Sequence, residues 1–128
     1  MAKWILKKSF RFEASHQLPQ HSGKCQRLHG HSWVLEVAIS SKQLIAISGD
    51  SSEDMVLDYG HLKNIVQPLV DSSLDHYHLN DSTGLKNPTS EKIAEWVYRK
   101  IMNVVPQDVE IEYVKIGETC TSECEYRP

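Results

Sequence analysis

The sequence predicts a single α+β domain in which a four-stranded antiparallel sheet carries two helices on one face. Three observations support this fold class. Apolar and polar residues alternate in four segments, as they do in half-buried strands. Two other segments repeat apolar residues at helical spacing. The order along the chain is two strands, two helices and two strands (ββααββ), which favours an antiparallel sheet with segregated helices.

Two strands are predicted before the helices. The first covers residues 5–16, and its core-facing row is Phe10, Phe12, Ala14 and His16. The second covers residues 29–47, and its core-facing row is His29, His31, Trp33, Leu35, Val37 and Ile39. A turn and a short strand over residues 55–58 follow.

The helices and the last strands complete the pattern. Asp58 is the predicted N-cap of the first helix, whose buried stripe is Leu62, Ile65, Val66, Leu69 and Val70. Pro68 lies inside this helix and is expected to bend it. Thr89 is the predicted N-cap of the second helix, which buries Ile93, Val97 and Ile101. The final strands are predicted over residues 109–118 and 124–127.

The composition restricts the class of protein. A chain of 128 residues with 40% hydrophobic content suits one domain with its own core, so residues 1–128 are expected to form a single domain. The net charge of −3 gives no basic surplus for a nucleic acid. No segment approaches the roughly 20 apolar residues of a membrane span, and the N-terminus lacks the apolar segment of a signal peptide. Three cysteines indicate free thiols, and we expect a soluble, cytoplasmic protein.

Histidine is the unusual residue, with seven copies. His29 and His31 share one face of the second strand about 6.5–7 Å apart along the backbone, and His16 can join them if the first two strands are neighbours. Three imidazoles suit Zn²⁺ and leave a fourth position for water or substrate. Cys25 could instead be a fourth ligand that closes a structural site, and an isolated His-x-His pair is often no more than two hydrogen-bonded strand residues.

Two further groups carry weaker signals. Asp75 precedes His76 and could orient its imidazole, as carboxylates do in proton-transfer pairs. Glu118 ends a predicted strand, where a carboxylate could bind the edge of an amidine-like heterocycle or remain solvated. No site role is assigned to His78, Asp81, Cys120 or Cys124.

The chain resembles the 6-pyruvoyltetrahydropterin synthase / 6-carboxytetrahydropterin synthase family. The matching segments occur in order over nearly the whole chain: FEASHQL, CQRLHGHSW, MVLDYGHLK, LDHYHLND, NPTSEKIAEWV and GETCTSECEY. The resemblance implies a tunnelling fold, in which the sheets of several subunits join into a barrel, usually as trimers paired into a homohexamer. It also implies that His16, His29 and His31 bind zinc.

The same resemblance implies the other site residues. Cys25 matches the catalytic cysteine, and Asp75 with His76 matches an acid/base pair that reaches the site of an adjacent subunit. Glu118 matches the carboxylate that anchors the pterin ring. Lys24 and Arg27 flank Cys25 and are candidates for contacting the triphosphate of the substrate.

One spacing favours a particular activity within the family. Three residues separate Cys25 from the His-Gly-His triplet, which is similar to the bacterial enzymes of queuosine biosynthesis. The expected reaction converts 7,8-dihydroneopterin triphosphate to 6-carboxy-5,6,7,8-tetrahydropterin with release of triphosphate and acetaldehyde. The alternatives are the pyruvoyl-forming reaction of the tetrahydrobiopterin pathway and a non-catalytic, zinc-stabilised pterin-binding module.

Overall fold

The computed structural model describes residues 2–128, which form a five-stranded mixed sheet and three α-helices. The strands are β1 (Trp4–His16), β2 (His29–Ser41), β3 (Tyr77–His78), β4 (Glu110–Thr119) and β5 (Ser122–Tyr126). Their order across the sheet is β3-β1-β2-β4-β5, and β3 is the one that runs parallel to its neighbour.

The helices are α1 (Tyr59–Leu69), α2 (Leu79–Ser82) and α3 (Ser90–Ile101). Both predicted N-caps are confirmed, because the Asp58 side chain accepts from the Gly60 N–H and the Thr89 side chain from the Lys92 N–H. The regular part of α1 ends one residue after Pro68, and the chain continues as a π-helical turn over Val70–Leu74. A single 3-10 turn (Lys24–Gln26) lies between β1 and β2. No helix among residues 2–128 is long and apolar enough to cross a bilayer.

One continuous core lies between the sheet and the helices. The predicted rows of β1 and β2 supply Phe10, Phe12, Ala14, Trp33, Leu35, Val37 and Ile39. These residues pack against the stripes of α1 and α3, which include Leu62, Val66, Ile93, Val97 and Ile101. Alternation therefore predicted correctly which face of each long strand is buried.

The predicted four-stranded antiparallel sheet and the ββααββ order need correction. The structure adds β3, a two-residue strand parallel to β1, and α2, a single helical turn directly after it. Neither element is long enough to show a hydrophobic period, so periodicity could not predict them. The segment that contains both has the polar composition of a loop and a turn.

One predicted strand boundary and one predicted short strand are also wrong. β2 ends at Ser41 rather than at residue 47, and residues 55–58 form no strand. Instead, Ile45 and Met55 pair through a backbone hydrogen bond (2.9 Å) in a loop. Val56 and Leu57 are buried from this loop, which explains why their apolar character resembled that of a strand.

Candidate metal centre

The three histidines predicted as ligands converge at one end of the β1–β2 pair. His16 is the last residue of β1 and lies opposite His29, and His31 lies opposite Ala14. All three side chains continue the buried row that contains Trp33. His16 itself is fully buried, with 0% exposure.

A fourth group, the carboxylate of Glu118, completes the cluster. The Nε2 atoms of His16 and His29 are 3.0 Å apart. Glu118 Oε1 lies 3.0 Å from His31 Nε2 and 3.3 Å from His16 Nε2. One ligand atom from each of the four residues falls within 4.8 Å of the others, so the cluster could hold a metal ion.

Backbone carbonyls orient two of the imidazoles. His16 Nδ1 is 2.9 Å from the Pro88 carbonyl oxygen, and His29 Nδ1 is 2.7 Å from that of Arg27. A carbonyl can only accept, so both Nδ1 atoms carry a proton, and in the neutral rings both Nε2 atoms therefore present lone pairs. Two such lone pairs facing each other at 3.0 Å repel unless a cation, either a proton or a metal ion, lies between or beside them. A carbonyl behind the second ring nitrogen is also the usual arrangement around metal-binding histidines.

The surroundings of His31 also indicate a metal site. Its Nε2 atom is buried and makes no hydrogen bond among residues 2–128, although Glu118 Oε1 is 3.0 Å away. The two observations agree if the carboxylate lies close to the ring nitrogen but outside hydrogen-bonding geometry. Tetrahedral zinc separates its ligand atoms by roughly 3.3–3.5 Å, and the donor set therefore fits such an ion with small adjustments.

Burial keeps these rings in the form that a metal requires. Burial lowers the pKa of His16 below its ordinary value, although the hydrogen bond to Pro88 and the charge of Glu118 partly oppose the shift. Burial likewise lowers the pKa of His31, again against the charge of Glu118. Only a neutral imidazole offers a lone pair to a cation. Both rings are therefore held ready to bind metal near neutral pH.

Cys25 lies in the loop that leads into β2. It is half-buried in the 3-10 turn, and its carbonyl accepts a hydrogen bond from the Leu18 N–H at 2.9 Å. Within residues 2–128, no hydrogen bond joins its thiol to the histidine cluster. The fourth residue of the cluster in the structure is therefore Glu118 and not Cys25. Lys24 and Arg27 flank Cys25 as exposed side chains.

Asp75 and His76 form the expected pair. Asp75 Oδ2 is 3.0 Å from His76 Nδ1, while Oδ1 accepts from the Glu13 N–H at 2.9 Å. These hydrogen bonds, first that from Glu13 and then that from His76, lower the pKa of Asp75. His76 has a φ of 65°, an uncommon left-handed conformation for a residue other than glycine, and its N–H donates to the Glu13 carbonyl. Its side chain is 80% exposed.

The pair lies at the outer edge of β1, where His76 lines a depression of the surface. This depression, of about 530 Å³, is lined by Glu13, Ser15, Ser32, His76 and His78, and the cluster residue His31 also contributes to its lining. Glu13, Ser15 and Ser32 alternate with the histidine row, so their side chains belong to the opposite face of the sheet. In the described part of the chain, no hydrogen bond or ion pair joins Asp75 or His76 to the cluster. Within one chain, the acid/base pair (through His76) and the candidate metal centre (through His31) therefore share the lining of one depression but make no direct polar contact.

Sequence reasoning missed two parts of this arrangement. Glu118 was predicted as a pterin anchor, and its position among the imidazoles was not predicted, although Val114 and Ile116 are buried and alternation along β4 puts Glu118 in the same row. His78, to which no site role was assigned, belongs to β3, and its Nδ1 lies 3.0 Å from the Ser15 hydroxyl oxygen. Cys120, to which the sequence analysis assigned no site role, is exposed.

Comparisons with known proteins show the family to which the chain belongs. The family model of 6-pyruvoyl tetrahydropterin synthase matches residues 5–128. A Synechocystis protein named 6-carboxy-5,6,7,8-tetrahydropterin synthase is 48% identical over 124 residues, which cover 96% of this chain and 92% of that protein. A Pyrococcus furiosus protein named dihydroneopterin monophosphate aldolase is 32% identical over 107 residues, or 84% of this chain and 82% of that protein.

A solved structure of similar fold is that of 6-pyruvoyl tetrahydropterin synthase from Caenorhabditis elegans. It superposes with a TM-score of 0.81 at 24% identity and covers 100% of this chain and 97% of that one. The chain belongs to the 6-pyruvoyl tetrahydropterin synthase family. Both the resemblance seen in the sequence and the expectation of a lyase-type enzyme are confirmed.

Proposed function

We propose that this chain is a zinc-dependent 6-carboxy-5,6,7,8-tetrahydropterin synthase. Its substrate would be 7,8-dihydroneopterin triphosphate, with release of triphosphate and acetaldehyde. The observation that carries the proposal is the convergence of three Nε2 atoms beside a carboxylate, two of them aimed by backbone carbonyls. The carboxy-forming activity is preferred because the Synechocystis relative at 48% identity bears that name.

His16, His29 and His31 would hold the zinc ion. When bound, zinc would polarise the oxygen atoms of the substrate side chain. Glu118 would accept hydrogen bonds from the pterin ring, since its carboxylate lies within 3.3 Å of two ligand rings and is still partly exposed. A pterin ring bound by Glu118 would place the side chain of the substrate at the metal, and such orientation lowers the barrier to reaction. Lys24 and Arg27 would contact the triphosphate.

Cys25 and His76 would move the protons. Cys25 Sγ would accept a proton from the carbon chain of the substrate, and His76 Nε2 would exchange one with its oxygens. Hydrogen bonds keep Asp75 ionised, so it would stabilise the imidazolium that His76 forms. The His76 side chain is 80% exposed and makes no polar contact with its own chain's cluster among residues 2–128, and we therefore assign it to the site of a neighbouring subunit.

Assembly into a ring would complete the site. β3 covers only Ala14 and Ser15 on the outer edge of β1, and the outer edge of β5 has no strand beside it within residues 2–128. Open strand edges of this kind pair readily with other strands. A homohexamer of two trimers, each with a continuous barrel, would pair them, and its mass in solution would be six times the 14.6 kDa of the chain.

The cellular setting belongs to the same proposal. The product would enter queuosine biosynthesis, and residues 1–128 would act as one domain. The three cysteines are free thiols, which suits the reducing cytoplasm. The net charge of −3 agrees with a small-molecule substrate rather than with a nucleic-acid partner.

Product analysis tests the proposal. Purified protein loaded with zinc is incubated with 7,8-dihydroneopterin triphosphate, and the pterins and acetaldehyde are identified by mass. The expected result is the 6-carboxy product with acetaldehyde, and His29→Ala should lack both zinc and product. A 6-pyruvoyl product would instead support the alternative reaction. Turnover of dihydroneopterin monophosphate alone would favour the activity named for the Pyrococcus relative. Zinc without any pterin product would indicate a non-catalytic module.

A further inference from the structure

Residues 75–80 run along the outer edge of β1 and attach to it at both ends. At one end the Glu13 peptide bonds to the Asp75 carboxylate and to the His76 N–H. At the other end the contact is made by Asn80 in α2. The segment that carries the proposed acid/base pair therefore lies on the same strand that ends with the metal ligand His16.

Asn80 binds the peptide that follows His16. Its Oδ1 accepts from the Gln17 N–H at 2.9 Å, and its Nδ2 donates to the Gln17 carbonyl at 2.8 Å. Nδ2 also approaches the Lys86 carbonyl at 3.4 Å. Because Gln17 offers one donor and one acceptor, only one orientation of the Asn80 amide satisfies both. The pair acts as a further rung between β1 and the segment beside it.

The position of this rung matters for His16. The ladder between β1 and β2 ends at the pair His16–His29, so β2 does not hold the Gln17 peptide. Asn80 holds it instead, and α2 holds Asn80, because the neighbouring Leu79 is fully buried. The His16 ring has its own contact with Pro88, which fixes its rotation but not the direction of the strand end.

We propose that Asn80 is a positioning residue for the metal centre: by fixing the Gln17 peptide, its amide holds His16 where its Nε2 meets those of His29 and His31. This inference rests on the zinc site of the proposed function. Partners that orient metal ligands without touching the metal commonly change metal affinity 10- to 100-fold when they are lost. We therefore expect loss of the Asn80 amide to raise the rate of zinc release about tenfold.

The test compares zinc release from the purified full-length protein. Asn80→Ala removes both hydrogen bonds, and Asn80→Asp keeps the acceptor but puts a carboxylate against the Gln17 carbonyl. Asn64→Ala is the matched control, since Asn64 is exposed on α1 and its side chain makes no hydrogen bond among residues 2–128. Transfer of zinc to a coloured chelator is followed by absorbance. The visible spectrum of the Co²⁺-loaded protein reports the geometry of the site, and thermal melting of the metal-free protein reports the fold.

Faster zinc release in both Asn80 variants, together with an altered Co²⁺ spectrum, is the expected result. If Asn80→Ala does not fold, Asn80→Asp carries the test. If the Asn80 variants release zinc at the same rate as wild type and Asn64→Ala, with the same Co²⁺ spectrum, the inference is overturned. This holds even if the metal-free Asn80 variants melt at a lower temperature, because Asn80 would then stabilise the fold without positioning the metal ligand. Wild-type protein that retains zinc but forms no pterin product would refute the proposed function alone.

Discussion

Replacing Glu118 with glutamine separates its two possible roles, because the carboxylate lies where either a pterin anchor or a fourth metal ligand could be. The substitution Glu118→Gln keeps the size of the side chain and removes its charge. We expect the variant to retain zinc, since three imidazoles remain, and to bind substrate poorly. His16→Ala should show the opposite pattern and lose the metal.

The magnitude follows from the kind of contact that is lost. Glu118 is the only carboxylate in the cluster, and about a quarter of its side chain is exposed (26%), enough for a ligand to reach it. A hydrogen bond to a charged group contributes about 1.5–3 kcal/mol, which corresponds to roughly 10- to 100-fold in kcat/KM. Loss of ring binding alone would raise KM, and loss of orientation would also lower kcat.

The assay combines elemental analysis for zinc with steady-state formation of the pterin product. Glu110→Gln is the matched control, because Glu110 lies on the same strand and is exposed. It should behave as wild type in both measurements. Loss of zinc from Glu118→Gln would identify Glu118 as a metal ligand. Zinc retention with unchanged kcat/KM would refute the anchoring role.

Three other predictions concern the thiols, the assembly and the effect of pH. Cys25 should react with iodoacetamide several-fold faster than Cys124, whose pKa is raised by burial, and removal of zinc should slow Cys25, because a nearby cation favours a thiolate. Inactive Cys25→Ala and His76→Ala subunits, dissociated and reassembled together, should regain activity at roughly a quarter of the sites if each site joins two chains and mixing is random. Metal-free protein should lose thermal stability as the pH falls below 6.5, because burial lowers the pKa of His16 and His31 in the native protein below the ordinary value of 6.5. A histidine whose pKa is lowered by folding contributes stability that is complete above its pKa in the unfolded chain. That stability is lost as the pH falls through its pKa in the native protein.

Each of these has a result that would contradict it. Equal alkylation rates for Cys25 with and without zinc would place no cation near the thiol. Absence of activity despite confirmed subunit exchange would mean that each chain builds its site alone. For the pH effect, a melting temperature of the metal-free protein that stays constant from pH 7.5 to pH 5.5 would contradict the argument. His61 is exposed, so His61→Gln is the control that should leave the pH dependence unchanged. His16→Asn should weaken the pH dependence.

The features predicted correctly from the sequence are those with a long period or a specific cap. The β1 and β2 rows, the stripes of α1 and α3 and the caps Asp58 and Thr89 all depend on patterns that repeat within one segment. The histidine cluster followed from the same alternation, because His16 and His29 continue apolar rows. These are local properties, and local chemistry suffices to predict them.

The features that were missed depend on contacts between distant segments. β3 exists because residues 77 and 78 bond to the outer edge of β1, a pairing that no two-residue pattern can encode. Glu118 reaches the cluster because β4 pairs with β2, with Gly117 opposite Val34. Val56 and Leu57 resembled a strand because burial, not strand pairing, selects apolar residues there. Sequence reasoning was therefore weakest where register across the sheet decides the outcome.

The register between β1 and β2 determines the positions of both the metal-centre histidines and the core residues. The pairing of β1 with β2 runs unbroken from Trp4–Ser41 to His16–His29, and Phe12 lies opposite Trp33 two pairs before the cluster begins. Slipping β1 by one residue would turn His16 toward the open face and Phe12 with it. Trp33 is fully buried, its ring packs against Phe12, and its indole N–H donates to the Ala14 carbonyl at 3.1 Å. Those contacts penalise any slip, so the aromatic residues that form the core are also what hold the histidines on the face where they can meet.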